Sequence, residues 1–240
     1  MRKIKILVRL LRVHILTHMA TVILGSAMMF TVLLTPWKNS WPKIAQLWSR
    51  HVLRVSQVSV SLKPYGDFDL DKPFILMSNH VSNMDIPTLF HAFPVEFRFL
   101  TKHTLKYVPF FGWAMMAAKF IFVDRSNPEK ARASINAAAA AISGGRSIAV
   151  FPEGTRSPNG DLLPFKKGGF ILAVKTGVQV IPVYLKGAYE AMPKDTFETR
   201  AAHVEVRVGA AIDSGEYTLD TKDELMERVR ADIERLGELA

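Results

Sequence analysis

The sequence predicts an α/β fold: a mixed, largely parallel sheet flanked by helices, with an N-terminal membrane-embedded helical segment. Three observations carry this. From about residue 56 onward, apolar strand-like runs alternate with helical patterns, as in chains built from strand–helix–strand units. Three of those runs end directly in polar clusters: His80 with Asp85, Asp124-Arg125, and Glu153-Gly154-Thr155-Arg156. Ahead of them all, a basic stretch leads into a long uncharged apolar one.

The bulk composition sets limits. The chain has 240 residues, 49% hydrophobic and 22% charged. That suits one large domain with an appendage and argues against disorder. There is no cysteine, which excludes disulfides, thiolate metal sites and a cysteine nucleophile. The formal net charge of +9 points beyond solubility to nucleic acid, an anionic membrane face or a phosphorylated substrate. Arg2, Lys3, Lys5, Arg9 and Arg12 stand directly before the apolar stretch, a placement that favours membrane. Neither zinc-finger spacing nor an aromatic-rich RNA-binding signature is present, so no nucleic-acid partner is expected.

Taken in order, residues 15–35 carry no formal charge beyond His18, and about 20 such residues can cross a bilayer. A signal peptide fits poorly, because Leu34-Thr35-Pro36-Trp37 is a poor cleavage site. A spanning helix, a buried core helix and a re-entrant or interfacial helix remain open. The flanks favour embedding. Leu7, Leu10, Leu11 and Ile15 fall at helical spacing with Arg9 and Arg12 between them. Beyond the apolar stretch, Trp37, Trp41 and Trp48 interleave with Lys38, Lys43 and Arg50, as at a headgroup layer. Gly25-Ser26 is a candidate bend, which would let two half-helices dip into one leaflet. Residues 1–54 are therefore read as membrane-anchoring helices and 55–240 as the domain that carries the polar clusters.

Within 55–240, Val58, Val60 and Leu62 alternate with serines as in a half-buried strand. Residues 74–77 form a continuous apolar run, as in a buried strand. Further strands are expected at 97–100, 120–123, 147–151 and 178–185, with an alternating one through Val204, Val206 and Val208. Helices are expected after Pro109, across the alanine-rich 128–142, at 168–175 and at 221–238.

In α/β sheets, sites gather beyond the carboxyl ends of strands, so the polar clusters can converge. His80 and Asp85 are five positions apart. In one regular helix they would differ by about 140° in direction. They pair only if His80 sits in the loop and Asp85 begins a helix, with Pro87 in its first turn. Asp85 would then orient one ring nitrogen and leave the other to take a proton. The plainer reading is a helix cap beside an ordinary loop histidine. No further His or Asp cluster completes a metal site, so no metal is expected. Around Glu153, Gly154 permits a tight turn and Arg156 offers a fork for phosphate; the plainer reading is a local Glu153–Arg156 pair. Lys166, Lys167 and the glycines after them suit an anion or simply solvent. Asp124-Arg125 and Lys102 are ordinary strand ends when taken alone.

Together the residues say more. The ordered set Asn79-His80 with Asp85, then Val123-Asp124-Arg125, then the block from Phe151 to Arg156, then Val180-Ile181-Pro182-Val183 resembles the glycerolipid acyltransferases, among them the lysophosphatidate acyltransferases. The resemblance covers about residues 55–210. It implies His80 as general base and Asp85 as its orienting partner. Glu153, Gly154 and Thr155 become an acceptor-binding loop, and Arg156, Arg125 and Lys102 hold the substrate phosphate. It further implies acyl transfer from acyl-CoA or acyl-acyl-carrier protein to the 2-hydroxyl of 1-acyl-glycerol-3-phosphate, giving phosphatidic acid. No bound cofactor is implied. The partners are membrane lipids, the lysophospholipid and the acyl donor, and the place is a bacterial inner membrane with the catalytic domain facing the cytoplasm. Other lysophospholipids, glycerol-3-phosphate, a lyso-aminolipid, or a non-catalytic lipid-binding role stand as rivals. One position departs from the pattern: the family often has glycine six residues before the arginine of the second motif, and here that residue is Lys119. A lysine there could alter headgroup contacts.

Overall fold

The computed structural model of the chain describes residues 2–35, 40–124 and 126–239. Trp37, Lys38 and Arg125 lie outside them. Two long helices come first, α1 (Arg2–Leu34) and α2 (Trp41–Ser56). The strands are β1 (Val58–Pro64), β2 (Phe74–Ser78), β3 (Phe97–Lys102), β4 (Ile121–Val123), β5 (Ser147–Val150), β6 (Gln179–Lys186), β7 (Ala202–Val208) and β8 (Ile212–Asp213). Between and after them lie α3 (Asp85–Ala92), α4 (Phe111–Ala117), α5 (Pro128–Ser143), α6 (Gly168–Thr176), α7 (Ala188–Ala191) and α8 (Lys222–Glu238).

The sheet runs β1-β7-β6-β2-β5-β3-β4, with β8 also pairing β6. The pairs β2–β6, β2–β5, β3–β5, β3–β4 and β1–β7 are parallel, while β7 and β8 run antiparallel to β6. The continuous apolar run of β2 is explained by its place: helices cover both sheet faces, and every residue of the strand is buried. Phe74 and Leu76 enter a core shared with α2, α3 and α4, while Ile75 and Met77 enter a second core with α5, α6 and α8. Because β2, β3, β4 and β5 are mutually parallel, their carboxyl ends share one edge.

The N-terminal region differs from expectation in two ways. First, α1 is one uninterrupted helix of 33 residues, about 50 Å long at 1.5 Å per residue. Gly25 is not a bend. A Cβ there would stand 3.0 Å from the Phe110 carbonyl oxygen, so the glycine serves close packing of α1 against the segment before α4. Val13, Ala20 and Met28 are buried, whereas Leu11, Ile15, Met19, Ile23 and Phe30 are exposed. One stripe of α1 thus packs along the protein and the opposite stripe faces out. Second, Trp41 and Trp48 are not displayed outward. Trp41 is 3% exposed, beneath the Arg98 guanidinium at 4.7 Å. Trp48 donates its indole N–H to the Thr21 hydroxyl at 3.0 Å. The amphipathic α2 turns its tryptophans onto neighbouring elements rather than toward a headgroup layer. Arg98, itself 5% exposed, also caps α4 by donating to the Ala118 carbonyl at 2.7 Å.

Candidate active site

The strand β2 ends at Ser78, and the chain then breaks away into the loop 79–84 before α3. Asn79 secures that exit. Its Oδ1 accepts the Leu185 N–H at 2.8 Å, so a side chain continues the β2–β6 pairing where the backbone leaves it. His80 follows in the loop, and Asp85 is the first residue of α3, with Pro87 in the first turn. His80 Nδ1 stands 2.7 Å from Asp85 Oδ2. The same oxygen accepts the N–H groups of Val81 and Ser82 at 2.8 and 2.9 Å. Asp85 is completely buried. A carboxylate oxygen can only accept here, so Nδ1 carries the hydrogen and Nε2 keeps its lone pair. The His80 side chain is 16% exposed, enough to reach a substrate.

The block after β5 reaches back to this histidine. Phe151 stacks on the His80 ring at 3.9 Å and 11°, and Phe99 stacks on Phe151 at 5.5 Å. Gly154 closes a turn with its N–H to the Phe151 carbonyl at 3.0 Å, in a left-handed conformation at φ +72° that glycine adopts without steric cost. The turn carries Glu153 inward. Glu153 is 1% exposed; its Oε1 accepts the His80 N–H at 2.6 Å and its Oε2 the Leu163 N–H at 2.9 Å. Ser157 completes the clamp by donating its N–H to the His80 carbonyl at 2.7 Å. Both backbone groups of His80 are thus held by the β5 block. Burial pushes the Glu153 carboxyl above its ordinary range, and the N–H bonds from Leu163 and His80 pull it partly back.

A Glu153–Arg156 pair is absent among the described residues, because both Glu153 oxygens are taken. Arg156 points instead toward Asp195, 4.0 Å away, and is 25% exposed. Thr155 is exposed. Lys102 is exposed at the carboxyl end of β3. Asp124, at the end of β4, lies 3.7 Å from His103 and 3.5 Å from Lys130. Hydrogen bonds from Ser126, then these two neighbours, hold its carboxyl down at about 2. Of the three polar clusters, two meet side chain to backbone, and the third shares only their edge of the sheet. The sequence reading uses Asn79 and Phe151 only as members of the motifs and assigns no task to either of them or to Ser157. Among the described residues no three His, Asp or Glu side chains group as a metal site would require.

Lys119 has a backbone explanation. It takes φ +59°, the left-handed region that favours glycine. Its N–H bonds the Met116 carbonyl and the Phe120 N–H bonds Met115, each at 3.0 Å, which is the double closure of a Schellman motif ending α4. A glycine at this position answers a helix stop.

An apolar cleft of about 650 Å³ lies beside the aromatic stack, between α1, α2, α3 and α4; Leu24, Met28, Ile44, Phe90, Phe99 and Phe120 are among its lining. A second cleft, of about 700 Å³, opens on the other face of the sheet, where Leu100, Ile135, Val150, Phe151, Pro152 and Lys166 line it.

A family model described as acyltransferase matches residues 54–186. The chain is 35% identical over 185 residues to a 1-acyl-sn-glycerol-3-phosphate acyltransferase of Saccharomyces cerevisiae, covering 75% of this chain and 60% of that protein. It is 34% identical over 174 residues to a chloroplastic 1-acyl-sn-glycerol-3-phosphate acyltransferase of Brassica napus, covering 69% and 47%. The chain therefore spans about half to three fifths of the length of these curated relatives. The crystal structure of the 1-acyl-sn-glycerophosphate acyltransferase from Thermotoga maritima is similar throughout, with a TM-score of 0.84 and 26% identity over 100% of this chain and 99% of that one.

Proposed function

The chain belongs to the acyltransferase family, and on that footing we propose that it transfers an acyl group from acyl-CoA or acyl-acyl-carrier protein to the 2-hydroxyl of 1-acyl-glycerol-3-phosphate, giving phosphatidic acid. The observation that carries the reading is the 2.7 Å contact between His80 Nδ1 and a buried Asp85 oxygen. It leaves Nε2 free to accept a proton.

In the proposed step, Nε2 of His80 takes the proton of the acceptor hydroxyl as its oxygen attacks the thioester carbon. The tetrahedral intermediate collapses, the carbon–sulfur bond breaks, and the imidazolium returns the proton to the departing thiolate. An ester and a free thiol result, with no covalent enzyme intermediate and no bound cofactor. Asp85 holds the ring and stabilises the imidazolium while it exists. Positioned general-base catalysis of this kind is worth about 10²–10⁴ in rate.

Arg156 would bind the acceptor phosphate, with Lys102, exposed at the carboxyl end of β3, and Arg125 as further phosphate-binding residues, and the turn of Glu153, Gly154 and Thr155 would adjoin the acceptor. The apolar cleft by Phe99 suits an acyl chain: its lining is apolar, and only the Phe151 ring separates Phe99 from the imidazole. The second cleft is apolar apart from Lys166, the one cation among the described residues of its lining, which a phosphate of the donor would meet.

Residues 1–54 would anchor the catalytic domain to a membrane. The segment 7–34 is long and apolar enough to cross one, but α1 packs along the protein from Val13 to Met28. A helix that lies against its own domain over that length, with one apolar stripe facing out, fits a position in the plane of one leaflet. Lysophospholipid could then enter laterally. For a bacterial chain, the leaflet would be the cytoplasmic face of the inner membrane, where the donor is found.

The test is the product formed by purified protein from lysophosphatidate and acyl-CoA in detergent. Phosphatidic acid with one free thiol released per ester is the expected outcome. Thiol release without ester, or neither, would overturn the assignment.

A further inference from the structure

We propose that residues 103–117 form a second bilayer contact, built into the catalytic part of the chain and separate from the N-terminal helices. Its partner is the headgroup layer of an anionic phospholipid leaflet. Residues 107–117 read Tyr-Val-Pro-Phe-Phe-Gly-Trp-Ala-Met-Met-Ala, without a charged side chain. A helix on the surface of a water-soluble domain turns a polar face outward. Here α4 buries Gly112, Ala114 and Met115, and it leaves Trp113 and Met116, three residues apart, outward at 39% and 45% exposure. Just before the helix, Tyr107 and Val108 stand out at 70% and 41%. Neighbouring exposed apolar side chains of this kind mark an interaction surface, whereas single ones do not.

Two observations choose lipid over a second copy of the chain. The surface lies beside α1: Gly25, on the packed side of that helix, meets the Phe110 carbonyl at the turn that opens α4. Its composition is also that of a headgroup layer, with one tryptophan and one tyrosine among lysines. The Lys106 ammonium lies 4.9 Å from the Tyr107 ring centre, and Lys102 and Lys119 are exposed on either side. The surface is also pre-formed. Phe110 holds φ +60° in a tight turn closed by the Phe111 N–H on the Pro109 carbonyl at 2.7 Å. A Cβ at Gly112 would stand 2.2 Å from the Leu105 carbonyl oxygen, so the turn and the helix are packed against each other.

The inference rests on α1 lying at a bilayer, and the experiment reads the two separately. The chain has no cysteine, so single cysteines can carry a nitroxide without background. Ile23→Cys reports α1; Tyr107→Cys, Trp113→Cys and Met116→Cys report the new surface. Leu219→Cys, ahead of α8 on the far side of the sheet, reports water. The full chain is placed in vesicles of phosphatidylethanolamine and phosphatidylglycerol, and collisions with oxygen are compared with collisions with an aqueous nickel chelate. Labels at 107, 113 and 116 should favour oxygen as the label at 23 does, while the label at 219 favours nickel. Nickel-favoured labels at 113 and 116 beside an oxygen-favoured label at 23 would overturn the second contact and leave the anchor standing. Aqueous readings at all five positions would overturn both. Dipolar broadening at 113 that disappears on dilution with unlabelled protein would assign the surface to a second copy and likewise overturn the proposal. A double variant, Trp113→Glu with Met116→Glu, should lose rate severalfold on acceptor embedded in vesicles and keep its rate on acceptor in detergent micelles. Equal loss in both would contradict a membrane role.

Discussion

Two halves of one sheet edge are held in opposite ways. The half beyond β2 and β5 is locked. Asp85 is fully buried, Glu153 is 1% exposed, and both backbone groups of His80 are bonded to the neighbouring loop. The half beyond β3 and β4 is open. Lys102 is exposed, and Asp124 meets His103 and Lys130 only at 3.7 and 3.5 Å. The difference follows from what each half would do. A general base works when its ring is fixed before the substrate arrives, and buried hydrogen bonds can fix it. A cation awaiting a phosphate cannot be buried beforehand without a partner, because desolvating an unpaired charge is costly. Arg156 stands between the two, on the locked loop yet 25% exposed, with an exposed carboxylate at 4.0 Å.

The largest effect should come from the locked half. His80→Ala should lower kcat by about 10²–10⁴ and leave the fold intact. The clamp on residue 80 uses its N–H and carbonyl, which alanine keeps. The stability lost is that of the Phe151 stack, about 1 kcal/mol, and of the Nδ1–H bond to buried Asp85, about 1–3 kcal/mol, while the Val81 and Ser82 N–H groups stay on that oxygen. Initial rates and thermal melting check the two parts. Near-normal turnover would remove the base from the mechanism.

A smaller loss is expected for Glu153→Gln. The amide has one acceptor oxygen where two N–H groups need acceptors, so either His80 or Leu163 loses its partner, worth about 1–3 kcal/mol. As a positioning defect, it should lower kcat tenfold or more with little change in the acceptor KM. A raised KM with unchanged kcat would return Glu153 to direct acceptor binding. The pH dependence gives a second reading. The buried carboxyl has its pKa raised above the ordinary 4.5. Its contribution to stability is therefore greatest below 4.5 and is lost as the pH rises through the raised value. Glutamine does not titrate, so the melting difference between wild type and variant should shift against the wild type over that range.

What the sequence could disclose was limited by which groups carry identity. The apolar runs of β2 and β5 were legible because burial on both faces demands them. The His80–Asp85 geometry was legible because a five-residue spacing cannot pair within a regular helix. The role of Glu153 was not, since both its partners are backbone N–H groups and no residue type advertises them. Asn79 likewise reaches Leu185 across 106 positions through main-chain atoms. Trp41 misled because an amphipathic helix beside a basic apolar segment looks alike whether its tryptophans meet lipid or core. What decides is Arg98, a buried cation from another element that covers the ring. Gly25 misled: the glycine implied a bend where it allows contact. At position 119 the sequence could not show that the family's glycine answers a left-handed helix stop, a conformation that Lys119 takes here.

Arg156→Ala should give the smallest change in turnover and the cleanest test of the boundary between the halves. Hydrogen bonds to a charged partner are worth about 1.5–3 kcal/mol, so the lysophosphatidate KM should rise about tenfold to a hundredfold, at 1.4 kcal/mol per factor of ten. The melting temperature should hold, because the contact with Asp195 is long and Asp195 is 77% exposed, and such surface pairs contribute about 0–1 kcal/mol. An acceptor without phosphate, such as a monoacylglycerol, should be used equally poorly by wild type and variant. If KM rises for both acceptors alike, Arg156 shapes the loop instead of reading the phosphate. If kcat falls with KM unchanged, Arg156 belongs with His80 and Glu153 in the locked half, and the line between positioning and recognition moves one loop outward.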